Sequence, residues 1–223
     1  MKPLIIVGCS EIARLAYEYF THDCDEYEVM VFTVDRDYIE SNTFMGKPVT
    51  PYDEIEKQFP PDTFDAFVAI GSQKLNSVRA EKYDDLKAKG YRLASYVSSR
   101  AFVWHNVTIG ENSFILEDNT LQPFVEIGND VTLWSGNHIG HGTKVEDHVF
   151  ISSHVVVSGL CTIGAYTFMG VNSATAEGVE IGADNFIALG AAITRSTKPD
   201  ALVKPPAMDA KEDMAKRFSR RKG

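Results

Sequence analysis

From Val97 onward, aliphatic residues return at nearly every sixth position, in one unbroken register. The series runs Val97, Val103, Ile109, Ile115, Leu121, Ile127, Leu133, Ile139, Val145, Ile151, Val157, Ile163, Met169, Thr175, Ile181, Ile187 and Ile193. Fifteen of the seventeen are Val, Ile or Leu, so the register never slips. The next position is often glycine (Gly110, Gly128, Gly140, Gly164, Gly170, Gly182), and the fifth is mostly small or Val, as in Val107, Ser113, Thr143 and Val155. A period of six fits neither the helical repeat of about 3.6 nor the strand repeat of about two. It fits a solenoid in which each hexad is one flat side of a triangular coil, about 18 residues per turn. The aliphatic residue points into the prism, and the glycine after it is expected to supply the unusual dihedral of the corner. This predicts a left-handed parallel β-helix of between five and six coils. One coil apart, Phe150, Phe168 and Phe186 are expected to form an aromatic ladder, and the amides of Asn119 and Asn137 to pair.

The first ninety-odd residues follow a different rhythm. Pro3–Val7 is a β-branched run that ends in Gly8-Cys9-Ser10-Glu11, after which Ile12, Leu15, Ala16, Tyr19 and Phe20 recur at helical spacing. Further strands are predicted over 27–34, 66–70 and 91–96. A short helix is expected over 51–58 and a longer one over 76–89, with Arg79, Lys82 and Lys87 on its exposed side. Alternating strands and helices imply a small Rossmann-like parallel sheet, with ligands at the carboxyl ends of its strands. The candidate contacts are Gly8, Ser10 and Glu11, then Asp35 and Arg36, then Gly71 to Lys74. The turn holds one glycine and not a full G-x-G-x-x-G, so by itself it leaves nucleotide binding and a plain sharp turn both open.

Composition narrows the partners. A net charge of −9 argues against general nucleic-acid binding. The basic residues Lys216, Arg217, Arg220, Arg221 and Lys222 are read as a solvated helix end. The cysteines Cys9, Cys24 and Cys161 are odd in number and widely spaced, which suits a reducing, cytoplasmic setting. No run approaches the ~20 apolar residues of a membrane span, and the opening apolar run is read as a buried strand and not a signal peptide.

The hexad array over residues 97–197 resembles the hexapeptide acyltransferase superfamily. The whole chain resembles bacterial nucleotide-sugar acyltransferases of the sialic acid O-acetyltransferase and UDP-4-amino-sugar N-acetyltransferase type. The resemblance implies a nucleotide-sugar-binding domain at 1–96 and an acyltransferase β-helix with its tail at 97–223. It also implies a homotrimer with acyl-CoA, acetyl-CoA above all, lying between subunits. No metal is expected: His105 and His141 resemble two ligands of zinc-binding trimeric β-helices, but they lie two coils apart, and position 146, where that class needs a histidine, is Glu146. Ile139-Gly140-His141-Gly142 matches the family motif whose histidine is the catalytic base; His141, third in its hexad, is expected on a flat side. His138, three residues earlier, is the alternative base, and His148 and His154, near corners, are read as structural or surface residues. An imidazole with an ordinary pKa near ~6.5 suits proton removal from an amine or a hydroxyl. Gly159, one coil later, matches a glycine beside the thioester. The family's acyl-CoA contacts map onto Gly170, Val171, Ala188, Leu189, Gly190 and Lys204, although the usual Gly-Asn-Pro-Ala of the tail is Lys204-Pro205-Pro206-Ala207 here. Close members carry Glu after the histidine, where this chain has Gly142, so Glu126, Asp147 or another subunit must orient His141. Residues 208–218 suggest a closing helix. The expected reaction is N-acetylation of a nucleotide-linked amino-deoxy sugar; the alternatives are O-acetylation of a sialic-acid-type sugar and a non-catalytic sugar-nucleotide scaffold.

Overall fold

The computed structural model describes residues 1–206; the expected closing helix lies outside them. The chain begins with β1 (Lys2–Val7), α1 (Glu11–His22) and β2 (Tyr27–Val34). It continues through β3 (Thr43–Phe44), β4 (Lys47–Pro51), α2 (Ile55–Gln58), β5 (Asp65–Val68) and α3 (Ser77–Ala88). The sheet order is β3-β4-β2-β1-β5, parallel except for the β3–β4 hairpin. Two sequence expectations change here. The hairpin was not anticipated; it turns through Met45 and Gly46, both at positive φ (49° and 74°), the geometry that splices two short strands tightly. The strand expected over 91–96 reduces to one bridge, Leu93 to Ala66, before Tyr96–Val97 joins the solenoid.

Alternation along β1 sends its side chains to two cores. Ile5 and Val7 pack with Tyr52, Ile55, Tyr83 and Leu86 under α2 and α3. Leu4 and Ile6 pack with Phe20 of α1 and with Tyr96, Phe114 and Leu116 of the solenoid. The two parts of the chain therefore share one apolar core.

From Tyr96 the chain winds a parallel β-helix with three sheets of seven, six and five strands. Successive strands in a sheet lie one 18-residue coil apart, as in Thr120 against His138 and His138 against Val156. The hexad aliphatics are the core: Ile115, Leu121, Leu133, Ile139 and Ile151 are fully buried. The last step shortens to 16 residues, where Ile187 meets Val203.

The corners correct the sequence reading. The residue at positive φ is not the glycine after each aliphatic but the one three positions after it. It recurs at Asn112, Asp118, Phe124, Asp130, Gly136, Gly142, His148, His154, Leu160, Tyr166, Asn172, Gly178, Asp184 and Gly190. Asn, Asp and Gly tolerate that left-handed conformation best. The glycines following the aliphatics answer to coil stacking instead: a Cβ on Gly140 would lie 2.4 Å from the backbone nitrogen of Gly159 one coil away. The phenylalanine ladder forms, with Phe150–Phe168 centroids 5.6 Å apart and Phe168–Phe186 4.9 Å apart. Asn119 and Asn137 do not pair with each other. Asn119 Nδ2 donates to the Leu116 and Trp134 carbonyls, each at 2.9 Å, and Asn137 Oδ1 accepts the Val155 N–H at 2.7 Å.

Candidate active site

At the carboxyl ends of β1, β2 and β5 the N-terminal sheet opens a cavity of about 860 Å3. Gly8 forms its floor. At φ 125°, with a virtual Cβ 2.7 Å from the Ala69 carbonyl oxygen, that position excludes any side chain. Of the sequence candidates, Gly8, Ser10, Asp35, Gln73 and Lys74 line the cavity. Glu11, Arg36 and Gly71 lie outside its lining: Glu11 faces Arg14 at 3.7 Å, and Arg36 is paired with Asp53 and Glu54. Asp35 is engaged by Lys82 at 2.7 Å, whereas Lys74 enters no ion pair among the described residues. Cys9 also lines the cavity; burial, with Glu40 nearby, pushes its thiol up to about 11, so it stays protonated and is no nucleophile at neutral pH. Sequence reasoning missed the opposite wall, which includes Tyr38, Glu40, Thr43 and Phe44. Its signal was the Met45-Gly46 turn.

The second constellation sits on a corner of the β-helix. His141 was expected on a flat side; it occupies the turn between the strands His138–Ile139 and Lys144–Val145. Its backbone N–H donates to Gln122 Oε1 at 2.9 Å, and its carbonyl accepts the Leu160 N–H at 2.8 Å. The residue stacked beneath it is Gly159. A Cβ there would meet the imidazole at 2.4 Å (Cε1) and 2.7 Å (Nδ1). The glycine thus leaves the ring a place to lie across bare backbone. His141 is exposed, and its ring has no hydrogen-bond partner among the described residues. Asp147 Oδ1 is occupied by the Asn129 N–H at 2.7 Å, and Glu126 makes no hydrogen bond to His141. His138 lies on the neighbouring strand, while His148 and His154 are at left-handed corners.

The remaining acyl-CoA candidates lie away from Gly159. Gly170, Val171, Ala188, Leu189 and Gly190 cluster at a different corner, where the Gly190 N–H donates to the Val171 carbonyl at 2.8 Å. Val171 and Leu189 are exposed there, and Lys204 is exposed in the final segment. One six-stranded sheet separates the two groups. Its outward face and flanking corners expose Phe102, Phe124, Val156 and Leu160. Among the described residues, no group of three or more His, Cys, Asp or Glu side chains is arranged to hold a metal ion, and no helix is long and apolar enough to cross a membrane.

Residues 124–159, which include His141 and Gly159, match the model of the family described as bacterial transferase hexapeptide (six repeats). The match to the hexapeptide repeat lies wholly within the β-helix. Around this repeat the likeness to solved structures extends over nearly the whole chain. The acetyltransferase domain of PglB from Neisseria gonorrhoeae superposes with a TM-score of 0.83 at 21% identity, covering 92% of this chain and 100% of that one. PerB from Caulobacter crescentus, solved with CoA and GDP-perosamine, gives 0.82 at 21% identity, over 92% and 98%. Both show the same fold. In sequence, the bifunctional protein GlmU of Streptococcus equi subsp. zooepidemicus is 22% identical over 216 residues, covering 85% of this chain and 47% of GlmU. The chain thus spans about half the length of that relative.

Proposed function

We propose that the protein transfers an acyl group, acetyl by preference, from acyl-CoA to the amino group of a nucleotide-linked amino-deoxy sugar. The observation that carries this reading is the imidazole of His141 laid over the bare backbone of Gly159 at an exposed corner. The fold shared with PerB, which was solved with CoA and GDP-perosamine, supports it. In this reading the N-terminal sheet, residues 1–96, is a Rossmann-like domain that holds the nucleotide in the Gly8–Asp35–Lys74 cavity. Residues 97–223 form a left-handed β-helix with its tail and carry out transfer. The amine nitrogen attacks the thioester carbonyl carbon, and His141 accepts the amine proton. The tetrahedral intermediate then expels the CoA sulfur, which leaves as the thiol once protonated. No metal takes part.

The apolar face bearing Phe102, Phe124, Val156 and Leu160 packs against two further copies in a closed threefold ring. Across that ring the second corner, with Gly170, Val171, Ala188, Leu189, Gly190 and Lys204, meets the His141 corner of a neighbour and completes the acyl-CoA groove. A carboxylate from that neighbour would orient His141. Acyl-CoA and nucleotide sugars are cytoplasmic metabolites, which places the reaction there.

The test is thiol release from acetyl-CoA on mixing with nucleotide amino sugars. Wild type releases thiol, and His141→Ala lowers kcat by about 10²–10⁴ with little change in acetyl-CoA affinity. Release by neither protein means a non-catalytic scaffold. Equal release by both moves the base away from His141.

A further inference from the structure

The loop between β5 and α3 forms one wall of the N-terminal cavity through Ile70, Gln73 and Lys74. It ends in Lys74, Leu75 and Asn76, three successive non-glycine residues at φ 48°, 50° and 67°. Lys74 and Leu75 are disfavoured in the left-handed region, which Asn76 tolerates better, and a run of three persists only where surroundings over-determine it. The loop's own backbone bonds are long: Asn76 N–H to Ser72 O and Ser77 N–H to Lys74 O, both 3.3 Å. The restraint comes from the β-helix. Asn76 is completely buried, and its Nδ2 donates to the Tyr166 carbonyl at 3.0 Å. Arg79, one turn into α3, is 2% exposed, although its spacing had placed it on the outer side of the helix. Its Nε donates to Asp130 Oδ1 at 3.0 Å, and its Nη2 donates to the carbonyls of Asp130 (2.9 Å) and His148 (3.1 Å). The fully buried Asp130 is held in turn by Asn112 Nδ2 at 2.7 Å and His148 Nδ1 at 2.9 Å. Asn112, Asp130, His148 and Tyr166 are one corner column of the solenoid, all at positive φ.

We infer that Asn76 and Arg79 are positioning residues. Tethered to this corner column, they keep residues 74–76 left-handed and so fix Lys74 in the cavity wall, where its ammonium meets the diphosphate of the nucleotide sugar. This rests on the reading of the cavity as a nucleotide-sugar site. The three fixed donors of the Arg79 guanidinium permit only one seating of α3 on the β-helix, and the loop that precedes α3 inherits that seating. Affinity for the nucleotide is therefore set by contacts made outside the cavity.

The test uses the full chain with Asn76→Gly, which still accepts positive φ but loses the tether. It is paired with Asn76→Asp, which keeps the shape and the side-chain oxygen that accepts from Arg79 Nη1 at 3.4 Å but loses the donor to Tyr166. Amide hydrogen exchange is followed without ligand, and binding of UDP, GDP and acetyl-CoA is measured by calorimetry. The expectation is faster exchange over residues 72–78, binding of the preferred nucleoside diphosphate weakened about tenfold, and unchanged acetyl-CoA binding. Wild-type exchange over 72–78 in both variants would overturn the positioning role. So would a parallel loss of nucleotide and acetyl-CoA binding, which marks general destabilisation. Failure of wild type to bind either UDP or GDP would instead overturn the nucleotide reading, and the Lys74 assignment with it.

Discussion

The catalytic proposal comes down to what a single hydrogen atom permits at Gly159. Its missing side chain is the space occupied by the His141 ring, and an added Cβ would stand 2.4 Å from Cε1. Because His141 is exposed, the ring can swing into solvent at little cost in packing. Gly159→Ala is thus expected to leave the melting temperature near wild type while lowering kcat toward the His141→Ala value. Full kcat in Gly159→Ala would show that the observed ring position is not the working one. The His141 backbone is fixed separately through Gln122 Oε1. Gln122 escaped sequence reasoning because a side-chain bond to the next coil leaves no trace in the hexad pattern.

At the scale of one coil, two kinds of glycine behave differently, and they separate the two steric rules of the corner. Gly164 is not at positive φ, but a Cβ there would lie 2.5 Å from the Ala183 nitrogen and 2.6 Å from the Gly182 carbonyl carbon. Gly178 is at φ 70° with nothing within 4 Å of its virtual Cβ. Gly178→Ala therefore bears only the left-handed penalty of about 1–2 kcal/mol. Gly164→Ala must push two backbones apart, which adds overpacking strain of about 1–3 kcal/mol or more without rotamer relief. Thermal or denaturant unfolding should rank Gly164→Ala as the less stable variant. The reverse order would mean that corner dihedrals, and not coil separation, limit this solenoid.

Across the whole molecule, the two sheet systems are joined by the shared core around Phe20, Phe67 and Phe114 and by a carboxylate at the junction. Asp23, at the end of α1, accepts hydrogen bonds from Ser99 (Oγ and N–H) and Tyr96, then Ser98. These bonds favour its ionised form and lower its pKa from 3.8 to about 2. A group with a depressed folded-state pKa stabilises above its unfolded value and loses that contribution as pH falls through the folded value. Asp23→Asn should therefore melt below wild type at pH 7. The gap should close as pH drops from about 4 to about 2, the interval set by those pKa values. A gap that stays constant over this range would show that the carboxylate charge does not join the two parts.

The unbroken return of aliphatics from Val97 to Ile193 determined the solenoid, because one inward residue per flat side is a local steric requirement that composition must obey at every step. That Gly159 stacks one coil from His141 was legible for the same reason, since 18 residues make one turn of the solenoid; the β1–α1 turn was legible because the apolar run 3–7 stops at Gly8. The buried place of Arg79 was decided by tertiary structure alone. Its helical spacing faced it outward from its own sheet, and only the packing of α3 against a solenoid corner 51 residues further on turned that outer face into an interior. The same holds for the left-handed run Lys74–Asn76. No local pattern asks for it, and its restraint is a carbonyl 90 residues away in the chain. Period and turn chemistry are written between neighbours, whereas a buried charge is tolerated only where distant partners happen to satisfy it.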